Sequence, residues 1–185
     1  MALLYRRQSC TANAHCSPSL KIPTEAAIRD ALVKPRNRAQ VTADVRDMRA
    51  RIANEKGTNN IWDLKQVRGG LVDLEFIAQH LQLIHAANHP GILDQNTLTA
   101  LTKLEQAGLL PYETSLGLRK SGRLLHDLGQ VVRLCIDHPF EPKSAPGGLK
   151  ELLAKAVDVP SFEQVEMDLK SALSLIYQSF EAIVV

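Results

Sequence analysis

Lys65, Arg68 and the Gly69-Gly70 pair are the residues of this 185-residue chain whose types and spacing could do chemistry. A glycine turn that leads into a helix exposes unpaired backbone N–H groups, and the positive end of the helix dipole lies behind them. With two cations just upstream, such a turn could hold a phosphate group. The other interpretation is a helix start that needs flexible backbone, with solvated cations, and the spacing alone leaves both open. No Lys-Ser/Thr pair follows the glycines and no G-x-G-x-x-G run is present, which excludes a Walker loop and the dinucleotide fingerprint.

Asp73 and Glu75 are the acidic residues that follow the glycine pair. On a helix, residues two apart lie about 200° apart around the axis, so these carboxylates would not share a metal ion. On a strand they would point to the same side. We favour the helix, which makes both of them acids of its first turn and predicts no metal site. His85 and His89 have the spacing of helical metal ligands, but no Glu accompanies them and Pro90 follows directly, so we predict no metal there either.

A change of hydrophobic period predicts the elements that position these residues. Trp62 and Leu64 alternate with polar neighbours, which predicts one short strand before the glycine turn. From Leu71 onward the apolar residues recur at helical spacing. This spacing predicts a central helix that ends near Asn88, because Pro90 and the glycine after it cannot continue it.

The rest of the chain predicts further helices. Apolar spacing, caps and breakers place them at about 24–35, 41–54, 94 or 96 to 108, 112–138, 149–156 and from 161 onward. The apolar stripe of the helix at 41–54 comprises Val41, Val45, Met48 and Ile52. Arg46 and Arg49 are predicted to lie off this stripe. Gly122 and Gly129, in the interior of the longest helix, predict close approach of a neighbouring helix, and Cys135 is predicted to be a small core residue.

These elements predict an all-α fold, a helical bundle of six or seven helices with one short strand before the central helix. An apolar content of 45% with only 4% aromatic residues suits such a bundle better than a β-sandwich. Residues 23–185 are predicted to form a single helical bundle domain. Residues 1–22 have little periodicity and are predicted to be a loose N-terminal segment.

Composition and charge narrow the class of protein. No apolar run approaches twenty residues and the N-terminus lacks the apolar region of a signal peptide, so we predict no membrane partner. Three cysteines without C-x-x-C spacing fit a reducing cytoplasm. Residues 1–56 carry eleven Lys and Arg against five Asp and Glu, which suits a face for ATP, nucleic acid or an acidic partner, or simply a solvated face. No aromatic residues interleave these cations, which argues against a nucleic-acid platform.

The run WDLKQVRGGLVDLEFIAQHLQL, residues 62–83, resembles a segment of the glutamine synthetase adenylyltransferases, the bifunctional enzymes that add and remove AMP on glutamine synthetase. In that family the segment follows the catalytic core. The matching residues are Lys65, Gly69, Gly70, Asp73, Glu75, Phe76 and Gln79. The upstream run at 44–49 is also similar to the family's approach to this motif. The resemblance covers residues 22–185, is strongest at 41–83, and fits the C-terminal, AMP-adding half of the family better than the AMP-removing half.

The resemblance implies an accessory helical domain that follows a nucleotidyltransferase core. The family's core carries a Gly-Ser turn and an Asp-x-Asp pair that holds magnesium, and this chain has no such pair. The chain alone is therefore expected to be inactive, with no catalytic residue, no metal ligand and no cofactor of its own. ATP and magnesium belong to the parent enzyme, in which Lys65, Arg68, Gly69 and Gly70 would support the phosphates and Asp73 and Glu75 would be motif acids.

The expected partners are the rest of the adenylyltransferase chain, glutamine synthetase and a nitrogen-signalling regulatory protein. An alternative is a non-catalytic binding module that docks glutamine synthetase or that regulatory protein without touching nucleotide. A third interpretation is the equivalent domain of the related uridylyltransferases. A His-Asp pair occurs at His126-Asp127, but we find no further hydrolase signature and no ligand-sensing repeat in the chain, which disfavours this third interpretation.

Overall fold

The computed structural model describes the backbone of residues 18–185 and the side chains from residue 22 onward. The prediction of a loose segment at 1–22 falls mostly outside the described residues. Within the described part the fold is all-α, as predicted, with seven α-helices and one short 3-10 turn at Pro90–Ile92. The helices are α1 (Pro18–Leu32), α2 (Arg38–Lys56), α3 (Leu71–His85), α4 (Thr97–Gln106), α5 (Tyr112–Cys135), α6 (Gly147–Ala156) and α7 (Phe162–Ile183).

The predicted strand before the central helix is wrong, because the segment at 61–70 is a series of turns. The N–H groups of Gln66 and Val67 both donate to the carbonyl of Asp63, at 3.1 and 3.0 Å, so the chain curls back on itself. A strand needs a neighbouring strand to take its backbone hydrogen bonds. From residue 18 to 185 the regular elements are all helical, so the segment satisfies those groups locally instead.

Several helix boundaries differ from the predicted ones. Helix α1 begins at Pro18, well before the expected cap at Thr24, and it contains Pro23. Helix α5 ends at Cys135, three residues before the predicted end. Ser161 and Gln164 predict a capping box at the start of α7. The Ser161 hydroxyl accepts a hydrogen bond from the N–H of Gln164 at 3.3 Å, which confirms the Ser161 half of that box, and the Gln164 side chain donates to Asp168 at 2.8 Å.

Helix α3 lies at the centre of the bundle and packs against α2, α4, α5 and α7. Its Leu74 and Ile77 side chains are fully buried, and the apolar core around them draws on every helix of the described chain. Helix α1 lies at the edge, since Leu32 is its one buried residue among the described side chains. No helix within residues 18–185 combines the length and apolar character needed to cross a membrane.

The two interior glycines of α5 have different surroundings. A Cβ on Gly122 would lie 2.7 Å from Leu74 Cδ2 and 2.8 Å from Leu98 Cδ2, which confirms the predicted close approach. At Gly129 the nearest atom would be Leu64 Cδ1 at 3.6 Å, an ordinary contact, so the prediction is wrong there. The prediction of a buried Cys135 is also wrong, because the last turn of α5 projects into solvent.

Candidate functional site

The loop at 61–70 is tied to the start of α3 by backbone hydrogen bonds. The N–H groups of Leu71 and Val72 donate to the carbonyls of Leu64 and Lys65 at 2.9 and 3.2 Å. The N–H of Gly70 donates to the Val67 carbonyl at 2.9 Å. The amides at a helix start normally lack intrahelical partners, and here the preceding loop supplies them.

The Gly69-Gly70 pair is required by the space around it. Gly69 has φ +80°, a conformation that side-chain-bearing residues rarely adopt, and a Cβ on it would lie 2.0 Å from the Leu173 carbonyl oxygen of α7. A Cβ on Gly70 would lie 2.6 Å from the Leu64 carbonyl oxygen. Only glycine therefore lets the loop pass this close to both α7 and itself.

Asp73 is the centre of a buried ion cluster, which we define as Arg49, Arg68 and Asp73. The Asp73 side chain is fully buried in the first turn of α3. One of its oxygens accepts hydrogen bonds from Arg49 Nε and, at 2.9 Å, from Arg68 Nη1, and the other accepts from the N–H of Gly69. Buried carboxylates need such partners, because taking a charge out of water is costly and only opposite charges and hydrogen bonds offset that cost.

The prediction that Arg49 lies off the apolar stripe of α2 is wrong, because its side chain is only 2% exposed. Its Nη2 also donates to the Gln66 carbonyl at 3.1 Å, so Arg49 holds both the loop and α3. The sequence carried a signal for this position. Arg49 follows Val45 by four residues and Val41 by eight, which places it on the buried face of the helix.

Arg68 links the glycine turn to the last helix. Its Nη2 donates to Glu181 Oε1 at 2.9 Å while its Nη1 binds Asp73. Its Cζ lies 5.0 Å from the ring centre of Tyr177 and 5.1 Å from that of Phe180, within range for cation–π attraction. The side chain is 37% exposed, so Arg68 is only half-buried although both of its Nη atoms have carboxylate partners.

Lys65 lies in the turn, and Glu75 lies in the helix that follows it. Lys65 is exposed, and its ammonium group makes no ion pair among the described residues. Burial raises the pKa of Glu75 above its ordinary value, and the positive charge of Lys65 opposes this effect only in part. Glu75 does not join the ion cluster, so the two motif acids occupy different environments.

The structure thus brings Arg68, Gly69 and Asp73 into direct contact and leaves Lys65 and Glu75 beside them. Sequence reasoning missed Arg49, and it missed Glu181, which lies more than a hundred residues away along the chain. The cluster offers neither a nucleophile with a base nor, between residues 18 and 185, any group of three metal-binding side chains. The cluster holds the turn in place through hydrogen bonds to its backbone, and the turn carries the exposed Lys65 and the half-buried Arg68.

Comparison with known proteins gives the family. The model of the GlnD PII-uridylyltransferase family matches residues 39–141, more than half of the chain. A bifunctional glutamine synthetase adenylyltransferase/adenylyl-removing enzyme of a Bradyrhizobium species is 42% identical over 90% of this chain. Proteins of the same name from Rhodopseudomonas palustris and Xanthobacter autotrophicus are 40% and 38% identical over 91% and 85% of it.

The chain spans only a small part of these relatives, 17% of the Bradyrhizobium and Rhodopseudomonas proteins and 16% of the Xanthobacter protein. The family match includes the whole of α3, the glycine turn before it and Arg49, and therefore all three members of the buried ion cluster. The chain accordingly belongs to the GlnD PII-uridylyltransferase family of nucleotidyltransferase-related helical domains, and it is similar over most of its length to glutamine synthetase adenylyltransferases.

Proposed function

We propose that this chain is the accessory helical domain of a glutamine synthetase adenylyltransferase and supports AMP transfer from ATP to a tyrosine of glutamine synthetase. The observation that carries the proposal is the 42% identity over 90% of the chain to a protein of that name. Because the chain corresponds to about a sixth of that relative, the reaction itself would depend on the remaining part. The sequence has no Asp-x-Asp pair, so the chain alone is expected to transfer no AMP.

The supporting role falls to the exposed Lys65 and the half-buried Arg68. Phosphoryl transfer relies mainly on cations placed around the phosphates. The buried ion cluster fixes the backbone directly after each of these two residues, through the Gln66 carbonyl and the Gly69 N–H. The N–H groups of Gly69 and Gly70 donate to Asp73 and Val67 in this conformation, so a phosphate contact by these amides would require the turn to open.

ATP and magnesium are implied for the parent enzyme by the resemblance alone. We assign the phosphates of ATP to Lys65 and Arg68, and we assign magnesium to the catalytic core of the parent enzyme. A cytoplasmic location stays a prediction that rests on three cysteines without a pairing pattern.

The test is Lys65→Ala in the full-length enzyme, with Lys120→Ala as the matched control. Lys120 is an exposed lysine of α5 and has no ion pair among the described contacts. If Lys65 contacts a phosphate in the transition state, the AMP-transfer rate falls about ten-fold or more, since about 1.4 kcal/mol is a factor of ten. The control keeps the wild-type rate. Equal rates in both variants would contradict the phosphate role, and attachment of UMP in place of AMP would favour the uridylyltransferase interpretation.

The second candidate is a binding module for glutamine synthetase or a nitrogen-signalling regulatory protein. The observation that favours it is a set of exposed arginines on α2 and in the turn before it, Arg36, Arg38 and Arg51, which stand among exposed acids of the same helix. Charge reversal at Arg51 would then weaken binding of the partner at least several-fold in a calorimetric titration, while Lys65→Ala would leave that binding unchanged. Unaltered affinity after reversal of Arg51 would exclude this part of the surface.

A further inference from the structure

Arg46 and Arg68 both bind the carboxylate of Glu181. This pair of arginines resembles an anion-binding site that a side chain of the protein itself fills. Glu181 of α7 accepts from Arg46 Nη2 through Oε2 at 3.0 Å and from Arg68 Nη2 through Oε1 at 2.9 Å. The two arginines come from α2 and from the glycine turn, so they meet only because the fold brings them to the last turn of α7. Each oxygen of the carboxylate thus receives one guanidinium hydrogen bond, and two ionised oxygens of a phosphate could accept the same two bonds.

The Glu181 carboxylate is held weakly in this site. The side chains of Arg46, Arg68 and Glu181 are 45%, 37% and 41% exposed, so water screens both ion pairs. Glu181 has rotatable bonds that let its carboxylate swing into solvent. Asp73, by contrast, is fully buried, and its departure would leave the buried Arg49 without its carboxylate partner.

The charges favour a second anion. The connected network contains three guanidinium groups, on Arg46, Arg49 and Arg68, and two carboxylates. It therefore carries one excess positive charge with Glu181 in place, and two when Glu181 has swung away. The rings of Tyr177 and Phe180 hold the Arg68 guanidinium group in position for whichever anion is present.

We propose that the Arg46–Arg68 pair is a binding site for a phosphate group with two ionised oxygens, and that Glu181 is its built-in competitor. The phosphate replaces the Glu181 carboxylate without disturbing the buried ion cluster. This inference shares Arg68 with the proposed function. It adds Arg46 as a second phosphate-binding residue and Glu181 as the side chain that competes with the phosphate. A phosphate of a nucleotide and a free polyphosphate have the same chemistry at this site.

The test titrates this chain with inorganic pyrophosphate by calorimetry at low ionic strength. Glu181→Gln removes the competitor and is expected to tighten pyrophosphate binding about three-fold or more, while Glu151→Gln is the matched control. Glu151 is exposed on α6 and unpaired among the described contacts, so it changes the net charge equally without touching the site. Arg46→Ala in the Glu181→Gln background is expected to abolish the gain. Thermal melting of each variant establishes that it is folded.

Equal affinity of the Glu181→Gln and Glu151→Gln variants would overturn the proposal, since net charge would then explain the binding. Binding that survives Arg46→Ala unchanged would overturn it as well. ATP and adenosine separate the two sources of phosphate. If ATP binds more tightly than pyrophosphate and adenosine does not bind, the site is supported and its ligand is a nucleotide. If ATP and pyrophosphate bind with equal affinity, the site is supported and its ligand is a free polyphosphate. Failure of the proposed function would show in the Lys65→Ala transfer rate, which this titration does not measure.

Discussion

The buried ion cluster makes a quantitative prediction for Asp73→Ala. The substitution leaves the Arg49 guanidinium group 2% exposed with no counter-charge and removes the acceptor of the Gly69 N–H. Breaking a buried ion pair by removing one partner costs about 3–5 kcal/mol. That is a large fraction of a total stability of about 5–15 kcal/mol. For a chain of this size the melting temperature should fall by roughly 2–4 °C for each kcal/mol lost.

The assay is urea unfolding of a double-mutant cycle, Asp73→Leu and Arg49→Met alone and together. Asp73→Leu leaves the buried Arg49 charge unpaired, and Arg49→Met leaves the buried Asp73 carboxylate with Arg68 as its remaining charged partner among the described residues. The double variant replaces both buried charges with apolar volume. The double variant should therefore be clearly more stable than the sum of the two losses predicts. Recovery stays incomplete, because the N–H of Gly69 and the carbonyl of Gln66 still lose their partners. A loss below about 1 kcal/mol for Asp73→Ala, the size typical of an exposed pair, would refute the reasoning.

Two further predictions concern the glycine turn and a buried histidine. Gly69→Ala should lower the free energy of unfolding by more than about 2 kcal/mol, because of its positive φ and the Leu173 carbonyl, whereas Gly148→Ala, with open space around it, should be neutral or stabilising in denaturant titrations. Burial first, then the charges of Arg38 and His85, lower the pKa of His80 to about 4. The neutral form is thus favoured in the folded state, so stability is complete above about pH 6.5 and falls between pH 6.5 and 4. His80→Leu should flatten that part of the stability–pH curve, and an unchanged curve would exclude His80 as its cause.

Helical periodicity was sufficient for most of the fold, and its failures have identifiable physical causes. Trp62 and Leu64 are buried as the alternating pattern predicted, but that pattern reports which side chains face the core and not which backbone groups pair. Cys135 follows the apolar spacing of α5, yet the helix extends beyond its neighbours, as the 82% exposure of Leu134 demonstrates. Spacing alone contains no information on where a packing partner ends.

The candidate site could be predicted only in part, since its charges pair over long sequence distances. Gly69, Gly70 and Asp73 were visible as a local motif. Arg49 was predicted to lie off the apolar stripe, and the partner that permits its burial, Asp73, lies 24 residues away on another helix. Buried arginines of this kind become predictable when a cation on one apolar stripe and an acid on another are considered together.

The position of Asp73 bears directly on what the glycine turn can do. Its carboxylate receives the N–H of Gly69 and two guanidinium groups, which are the contacts that a bound phosphate would need at the start of α3. The inner anion position of this helix start is therefore filled by the protein itself. A phosphate bound in this conformation would lie farther out, where Lys65 is exposed and where Arg68 Nη2 binds the Glu181 carboxylate. The turn would then act as the anchor of an anion site rather than as the site.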